Sequence, residues 1–372
     1  MRSKPKMSFL IESFFFTECG PILTLDIARG MQENGVDVCA IIPEQMENID
    51  VWKASFAPKC LYVWKSYKNK YLDNLINGLK IRFKFLKRKF DFALYPSPVT
   101  RNLVVEKFLR VKENIIIMHD PIPHSGTRER IKQENKALIS FVSRVDNVLV
   151  MSKMFIPIVE EEYDKPRNNI FYMRHGEMSY PEFTGSFSEE DLKNDINFLY
   201  FGRIQKYKGL HVLAKAFAEV QKQYPNVHLT VAGSGDFSEY EEEYAKLKNA
   251  TVMNKYITDE EIAYLFSKPN TVVVMPYLDA TQSGITGMAY NYDTPVIVTD
   301  TGGLREQLFD GEVGVFVKPG DADDLKEKMI RFLSEPDLYA EQKKLMQESK
   351  VKMTWGYITK EFIDQLESHT VK

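Results

Sequence analysis

Two cations, Arg203 and Lys208, follow an apolar run in the second half of the chain and precede an amphipathic one. The guanidinium of arginine is a planar fork that binds two phosphate oxygens, and lysine supplies a point charge. A helix that begins directly after them would add free N–H groups and a partial positive charge. The pair therefore suits a diphosphate, although an isolated pair at this spacing is more often part of a solvated basic loop.

Three later loops suit the same anion. Residues 232–235 read Ala-Gly-Ser-Gly, which brings backbone close to a ligand, although glycines can also serve the turn alone. Residues 276–284 place Thr, Gln and Ser before a possible helix start, which could equally be an N-cap without a ligand. Residues 299–306 contain Gly302 and Gly303, where a backbone can approach closely. Together these loops favour a ligand site at one sheet edge.

The elements that must position these loops are alternating strands and helices. Apolar runs separated by amphipathic segments predict parallel βαβ units whose sheets are covered on both faces. The predicted strands lie at 7–11, 38–42, 92–95, 114–118, 147–151, 197–201, 228–232, 272–275, 295–298 and 314–317. The predicted helices include 21–34, 211–224, 260–266, 322–333 and 355–366. Ligands bind at the carboxyl ends of such strands, and the loops described above lie there.

Length and composition predict two globular domains. The chain has 372 residues and a formal charge of -3, which argues against a protein dominated by nucleic-acid binding. The predicted fold class is α/β, with two Rossmann-like doubly wound domains that face each other across a cleft. The first domain is predicted at 1–180, a polar linker at 181–194 and the second domain at 195–350.

The cysteines and the apolar runs indicate a compartment. Cys19, Cys39 and Cys60 form no CxxC pair and are odd in number, so a disulfide framework or a zinc site is not expected. No apolar run approaches the roughly 20 residues of a membrane-spanning helix. We therefore expect a cytoplasmic protein.

The strings around these loops resemble the family-four retaining glycosyltransferases of the GT-B fold, also described as glycosyl transferases group 1. The shared strings are Phe201-Gly202-Arg203, Lys208-Gly209-Leu210, Val231-Ala232-Gly233-Ser234-Gly235, Thr281-Gln282-Ser283-Gly284, Thr294-Pro295-Val296-Ile297 and Gly302-Gly303-Leu304. Residues 119–126, His-Asp-Pro-Ile-Pro-His-Ser-Gly, look like a segment of members that build bacterial surface polysaccharides. Residues 351–372 would then cross back to the first domain, as in the resembled fold.

The resemblance implies a retaining, metal-independent transferase that moves a hexose from a nucleotide diphosphate sugar, with UDP favoured, to a saccharide or lipid-linked acceptor. It places the acceptor in the first domain and the donor in the second. The implied donor-binding residues are Gly20, Gly202, Arg203, Lys208, Gly233, Tyr256, Ile257, Thr281, Gln282, Ser283 and Gly284. His119 would lie near the sugar and the attacking hydroxyl, and His124 on the acceptor side.

One departure from the family concerns two glutamates that stand eight positions apart in many members. Here those positions are Ala280 and Met288, so the usual donor-sugar carboxylate is absent. Asp279 is adjacent to the first and could take a catalytic role. The departure keeps a second hypothesis open, a non-catalytic partner subunit that binds glycan or stabilises an active homologue. An epimerase or a phosphorylase on the same two-domain frame is a further alternative.

A basic amphipathic segment at 75–90 suggests a membrane partner. Five apolar residues share one helical face and are expected to pack on the first domain: Leu75, Leu79, Phe83, Leu86 and Phe90. Ile81 and Phe85 are expected among the cations of residues 80–89. Such a face suits an anionic surface, at the inner side of the membrane, although a solvated helix with scattered apolar residues is the common alternative.

Overall fold

The computed structural model describes residues 7–14, 19–97, 99–119, 121, 141–178, 180–189, 191–192 and 196–370. The chain divides into two compact units. The first comprises Met1–Pro123, Thr127–Arg174 and Thr354–Lys372, and the second consists mainly of His175–Met353. The boundary in the middle of the chain therefore precedes the stretch 181–194 that the composition suggested as a linker.

The first unit is built on a seven-stranded sheet of order β3-β2-β1-β4-β5-β6-β7. Its strands are β1 Ser8–Glu12, β2 Asp37–Pro43, β3 Leu61–Trp64, β4 Phe90–Tyr95, β5 Val111–Met118, β6 Asn147–Val150 and β7 Ile170–Tyr172. All neighbouring strands pair in parallel. The central strands are apolar on both faces because helices cover both sides of a parallel sheet.

The second unit holds a six-stranded parallel sheet of order β10-β9-β8-β11-β12-β13. Its strands are β8 Asn197–Phe201, β9 His228–Gly233, β10 Ala250–Asn254, β11 Thr271–Met275, β12 Val296–Thr299 and β13 Val315–Val317. The chain runs outward from β8 through β9 to β10, then returns to the other side of β8 at β11. Both sheets confirm the predicted doubly wound α/β class, and β8 and β11 flank the switch point where such sheets bind ligands.

Helices connect the strands of both units. In the first unit they are Cys19–Glu33, Ile49–Ser55, Lys70–Lys84, Thr100–Phe108, Phe155–Glu162 and Trp355–Thr370. In the second they are Leu210–Gln223, Glu241–Ala245, Asp259–Ser267, Gly284–Asn291, Leu304–Gln307, Ala322–Ser334 and Leu338–Lys350. Within the described ranges, none of these helices has the length and apolarity needed to cross a membrane.

The terminal helix Trp355–Thr370 packs against the first helix of the chain. Its approach is close because Gly30 has no side chain: a Cβ there would lie 2.4 Å from the Trp355 carbonyl oxygen. Asn34 fixes the contact, since its Nδ2 donates to the Gly356 carbonyl at 2.7 Å. The end of the chain is therefore part of the first unit.

The described part of the stretch 181–194 packs on the second unit. The rings of Phe183 and Phe187 lie 5.6 and 5.9 Å from that of Tyr264. The Asp191 carboxylate accepts hydrogen bonds from the Tyr264 hydroxyl and pairs with Lys268, each at 2.9 Å. Burial opposes ionisation of Asp191, but the hydrogen bonds from Lys268 and its other donors outweigh it and lower the pKa of this carboxyl.

The predicted orientation of the basic amphipathic segment is wrong. Ile81 and Phe85 are buried, whereas Leu75, Leu79, Phe83 and Leu86 are exposed. Phe90 is buried in β4 and does not belong to the helix. The whole apolar stripe of the helix therefore faces outward.

Two polar residues set this orientation. Asp73 and Asn77 share the buried face with Ile81 at four-residue spacing. The Tyr62 hydroxyl donates to Asn77 Oδ1 at 2.7 Å, and Trp64 Nε1 donates to Asp73 at 3.2 Å. Buried polar groups are tolerated when they are hydrogen-bonded, so a pattern that counts only apolar residues selects the other face.

Candidate functional site

The loop after β8 carries the two cations. Arg203 is exposed and Lys208 is half-buried, and the helix Leu210–Gln223 begins directly after them. Tyr200 fixes the backbone of Arg203, because the Tyr200 hydroxyl donates to the Arg203 carbonyl at 2.9 Å. Burial raises the pKa of Tyr200 well above its usual range, so this donor stays protonated. The arrangement leaves the guanidinium in solvent at the carboxyl end of the sheet.

The loops after β8 and β11 are tied together by their backbones. Leu278 N–H donates to the Tyr207 carbonyl at 2.7 Å. Gly209 has φ +71°, and a Cβ there would lie 1.9 Å from the Pro276 carbonyl oxygen, so both its conformation and its space require glycine. As a result, the Lys208 ammonium lies 3.7 Å from the centre of the Tyr277 ring.

The turn after β9 borders the loop after β8. Gly233 has φ +150°, and a Cβ there would lie 1.9 Å from the carbonyl oxygen of Gly202. Ile204 N–H donates to the Ser234 carbonyl at 2.9 Å, which continues the pairing of the two segments beyond the sheet. Gly233 is thus needed to bring two backbones together next to Arg203, whereas Gly202 is favoured by its φ of +130°.

The loop after β11 presents small polar side chains. Thr281, Gln282 and Gly284 are half-buried, and Ser283 is buried as the N-cap of the helix Gly284–Asn291. Within the described structure, Gln282 Nε2 is buried and has no hydrogen-bond acceptor. An unpaired buried amide donor is costly, and a bound anion or sugar hydroxyl would remove that cost. Asp279 lies half-buried just before this group.

Gln307 is a residue that the sequence did not reveal. Its side-chain amide binds both backbone groups of one residue: Ser283 N–H donates to Gln307 Oε1 at 3.0 Å, and Gln307 Nε2 donates to the Ser283 carbonyl at 3.2 Å. Gly303 N–H donates to the Thr281 carbonyl at 3.0 Å, which adds a second tie between the same segments. Gln307 therefore fixes the loop that holds the small polar side chains.

Replacing Gln307 with leucine is expected to raise the KM for a donor about tenfold and to lower the thermal midpoint. The change leaves the buried N–H of Ser283 unpaired, which costs about 1–3 kcal/mol, whereas the Ser283 carbonyl keeps its hydrogen bond from Thr286 Oγ1 at 2.6 Å. Gln307→Glu keeps an acceptor for the Ser283 N–H, so its KM and thermal midpoint should lie between those of the natural protein and of Gln307→Leu. Gln342→Leu is the matched control, because Gln342 accepts from Gly314 N–H elsewhere in the unit. If both leucine variants raise KM equally, Gln307 has no special role in the loop.

The positions of the absent family glutamates are part of the core. Ala280 and Met288 are each 3% exposed and pack in the apolar cluster of the second unit. A carboxylate at either position would need a partner to offset its burial. Apolar packing therefore occupies both positions at which the resemblance places a glutamate, and Asp279 is the adjacent acidic side chain.

The segment after β10 offers an aromatic surface. Tyr256 is 76% exposed, whereas Ile257 is buried. The Thr258 side chain caps the following helix, and the Glu261 carboxylate accepts a hydrogen bond from the Thr258 N–H at 3.0 Å. The neighbouring Asn254 Oδ1 accepts from Gly235 N–H at 3.2 Å, which connects this segment to the turn after β9.

The remaining predicted site residues belong to the first unit. Gly20 lies in the first turn of the helix Cys19–Glu33. His119 follows β5 and is half-buried, with its Nε2 3.1 Å from the Pro96 carbonyl oxygen. This contact is to the backbone, and the implied role of His119 near the sugar stays a proposal. His124 lies outside the described residues.

A buried carboxyl at the end of β1 was also missed. Glu12 Oε2 accepts from Asn102 Nδ2 at 2.9 Å, and burial raises the pKa of Glu12 well above its usual range. Its signal in the sequence is an acidic residue at the end of an apolar strand. The pair lies at the carboxyl edge of the first sheet, as His119 does.

One group of possible metal ligands occurs in the part of the chain that the structure describes. Asp37, Cys39 and Cys60 bring their ligand atoms within 4.8 Å of one another. The Arg88 guanidinium already donates to Asp37 at 2.7 Å and contacts Cys60 Sγ at 3.3 Å. A metal cation in the cluster would be repelled by this guanidinium. We therefore interpret the group as an ion pair between Arg88 and Asp37 with two neighbouring thiols.

The sequence similarity to known proteins lies mainly in the second unit. Residues 184–349 match the family described as Glycosyl transferases group 1. A D-inositol 3-phosphate glycosyltransferase of Arthrobacter sp. (strain FB24) is 31% identical over 145 residues, which are 37% of this chain and 34% of that relative. The capsular polysaccharide biosynthesis glycosyltransferase CapM of Staphylococcus aureus is 31% identical over 153 residues, 40% of this chain and 39% of that relative. The chain thus aligns with about a third of the length of these relatives.

The fold is shared more widely. The structure of Anabaena HepE in complex with UDP-glucose matches 97% of this chain and 100% of its own, with a TM-score of 0.70 and 15% identity. At that identity the likeness shows the fold alone. It is the two-domain GT-B architecture that the sequence strings implied.

Proposed function

We propose that this chain, which carries a glycosyl transferases group 1 domain at residues 184–349, transfers a hexose from a nucleotide diphosphate sugar to a saccharide or lipid-linked acceptor. A UDP-sugar is the favoured donor, and the synthesis of a bacterial capsule or another surface glycan is the favoured role. The observation that carries the proposal is the cluster at the switch point of the second sheet. It consists of the exposed Arg203 and of two groups without a partner among the described residues: Lys208, which pairs with no carboxylate, and the buried amide nitrogen of Gln282.

Each part of the cluster has a task in the proposed reaction. The bond between the anomeric carbon and the diphosphate oxygen breaks, and a bond to the acceptor oxygen forms. Arg203, Lys208 and the N–H groups at the start of Leu210–Gln223 neutralise the leaving diphosphate, which requires no metal ion. With retention of configuration, the acceptor proton passes to a phosphate oxygen of the leaving group.

The remaining predicted residues take supporting tasks. Tyr256 and Ile257 frame the nucleobase, and Thr281, Gln282 and Ser283 bind the diphosphate and the sugar. Asp279 stands in for the absent family carboxylate. In the first unit, His119 lies beside the sugar and the acceptor hydroxyl, with His124 on the acceptor side and Gly20 allowing the backbone to approach the donor.

We place the acceptor at an anionic membrane surface. Leu75, Leu79, Phe83 and Leu86 form an exposed apolar stripe on and after the helix Lys70–Lys84. The cations beside it include Arg82, Lys84 and Lys87, which have no ion-pair partner among the described residues. An outward apolar stripe flanked by unpaired cations is the pattern of an interfacial helix. This surface would bring the enzyme to a lipid-linked acceptor at the inner face of the membrane.

A thermal-shift screen against UDP, GDP and their hexose conjugates tests the proposal. At a ligand concentration of about 100 times Kd, binding stabilises the folded state by about 2.7 kcal/mol. That raises the midpoint by roughly 5 °C or more for a unit of this size. AMP serves as the control, because it offers a nucleobase without a diphosphate. A chain that responds to none of the diphosphates cannot have the proposed function.

A second candidate function is a non-catalytic partner subunit. The apolar, buried Ala280 and Met288 favour it, since the usual carboxylates are missing. Such a subunit would bind glycan or stabilise an active homologue without turning over a donor. It predicts no release of UDP in the presence of any acceptor.

A further inference from the structure

Lys208 has an unusual environment for a lysine in the second unit. Its ammonium lies 3.7 Å from the centre of the Tyr277 ring and 5.0 Å from that of Tyr207. Within the described residues, no carboxylate lies at ion-pair distance from it. Other cations of the same unit are paired with acids, for example Lys268 with Asp191 at 2.9 Å. Lys208 is thus held by aromatic faces in place of a counter-ion.

The Tyr277 ring is itself fixed. It is fully buried, and its hydroxyl lies 3.3 Å from Ser283 Oγ. The backbone N–H and carbonyl of Ser283 are in turn both bound by the Gln307 side chain. A connected set of contacts therefore runs from Gln307 through Ser283 and Tyr277 to the ammonium of Lys208.

An aromatic face suits this place better than a carboxylate would. The ring quadrupole attracts a cation but leaves its net charge in place. A carboxylate at the same distance would cancel that charge and repel an incoming diphosphate. A fixed ring also restricts the rotamers of the lysine stem before any ligand arrives, so less conformational entropy is lost on binding.

We infer that Tyr277 is a positioning residue, which holds the Lys208 ammonium oriented and uncompensated for the diphosphate of the donor. The inference rests on the proposed function, because it names how that site prepares one of its charges. Tyr277 acts through Lys208, and its contact with Ser283 helps to hold the ring in place. It joins the cation of one loop to the small polar side chains of the next.

Calorimetric titration of the full-length chain with UDP tests this role. Tyr277→Leu is expected to weaken UDP binding about tenfold, which corresponds to about 1.4 kcal/mol. Tyr277→Phe keeps the aromatic face and should restore binding to within about threefold of the natural protein. Tyr290→Leu is the matched control: Tyr290 is equally buried in the same unit, and its loss should affect the thermal midpoint more than UDP affinity.

The decisive comparison repeats Tyr277→Leu in a Lys208→Gln background. If the ring acts through the ammonium, adding Tyr277→Leu to the Lys208→Gln variant changes UDP affinity by less than about twofold. An undiminished tenfold loss without the lysine, or full affinity of Tyr277→Leu alone, overturns the inference while the proposed function stands. Failure of the natural protein to bind either UDP or GDP overturns both together.

Discussion

Arg203→Gln and Lys208→Gln are each expected to lower kcat for hexose transfer by about a hundredfold. Removing one preorganised group that stabilises developing charge costs about 10²–10³ in kcat. Both cations directly precede the helix Leu210–Gln223. The leaving diphosphate gains negative charge as the glycosidic bond breaks. A loss confined to KM would instead indicate groups that bind the ground state and the transition state equally.

A distant charge on the same helix provides the control for these variants. Lys222 lies at the far end of Leu210–Gln223 and pairs with Glu219 at 2.6 Å. Lys222→Gln removes one positive charge without touching the loops after β8 and β11, so kcat should be retained. Equal kcat for the natural protein, Arg203→Gln and Lys208→Gln would refute the role of these cations.

Serine substitutions at Leu75, Leu79 and Phe83 together are expected to weaken binding to anionic vesicles by about a hundredfold or more. Each fully buried side chain of this size contributes about 1.5–3 kcal/mol, and insertion into a headgroup region realises part of it. All three side chains are exposed, so the triple variant should fold normally. Flotation with vesicles that contain phosphatidylserine measures the change.

The charge contribution is separated by a second triple variant. Arg82→Glu, Lys84→Glu and Lys87→Glu should abolish the preference for anionic over neutral vesicles, since each cation near such a surface contributes about 1 kcal/mol. Arg88 is left unchanged because its guanidinium pairs with Asp37 at 2.7 Å. Lys222→Glu, Lys326→Glu and Lys344→Glu together in the second unit control for net charge, because they reverse the same number of charges. Vesicle binding that is the same for all variants contradicts the membrane surface.

The sequence predicts the centres of both sheets better than their edges. The central strand β8 begins and ends where the apolar run predicts, at Asn197 and Phe201. The strands that the pattern missed, β3, β7 and β10, are three of the four edge strands of the two sheets. An edge strand is short or partly exposed, as the partly exposed and exposed residues of β10 illustrate, so its apolar signal is weak.

The candidate site likewise contains residues that the sequence indicates and residues that it does not. Arg203, Lys208 and the Thr281-Gln282-Ser283 string could be found because post-strand loops have a defined place in a parallel sheet. Tyr277 and Gln307 could not, because their importance comes from contacts that tertiary folding creates; Gln307 binds a peptide 24 positions away. The outward stripe of Lys70–Lys84 was misassigned for a related reason, since Asp73 and Asn77 occupy the buried face through hydrogen bonds to distant residues.

The most direct test of the proposed activity is mass-spectrometric detection of hexose transfer by the purified chain. UDP-hexoses are incubated with a bacterial lipid extract and short saccharides, and the acceptors and the released nucleotide are analysed together. We predict an acceptor extended by one hexose, an equal amount of free UDP, and loss of both products in Arg203→Gln. A donor that binds but remains intact with every acceptor, for both UDP- and GDP-sugars, would contradict the transferase and favour the non-catalytic subunit.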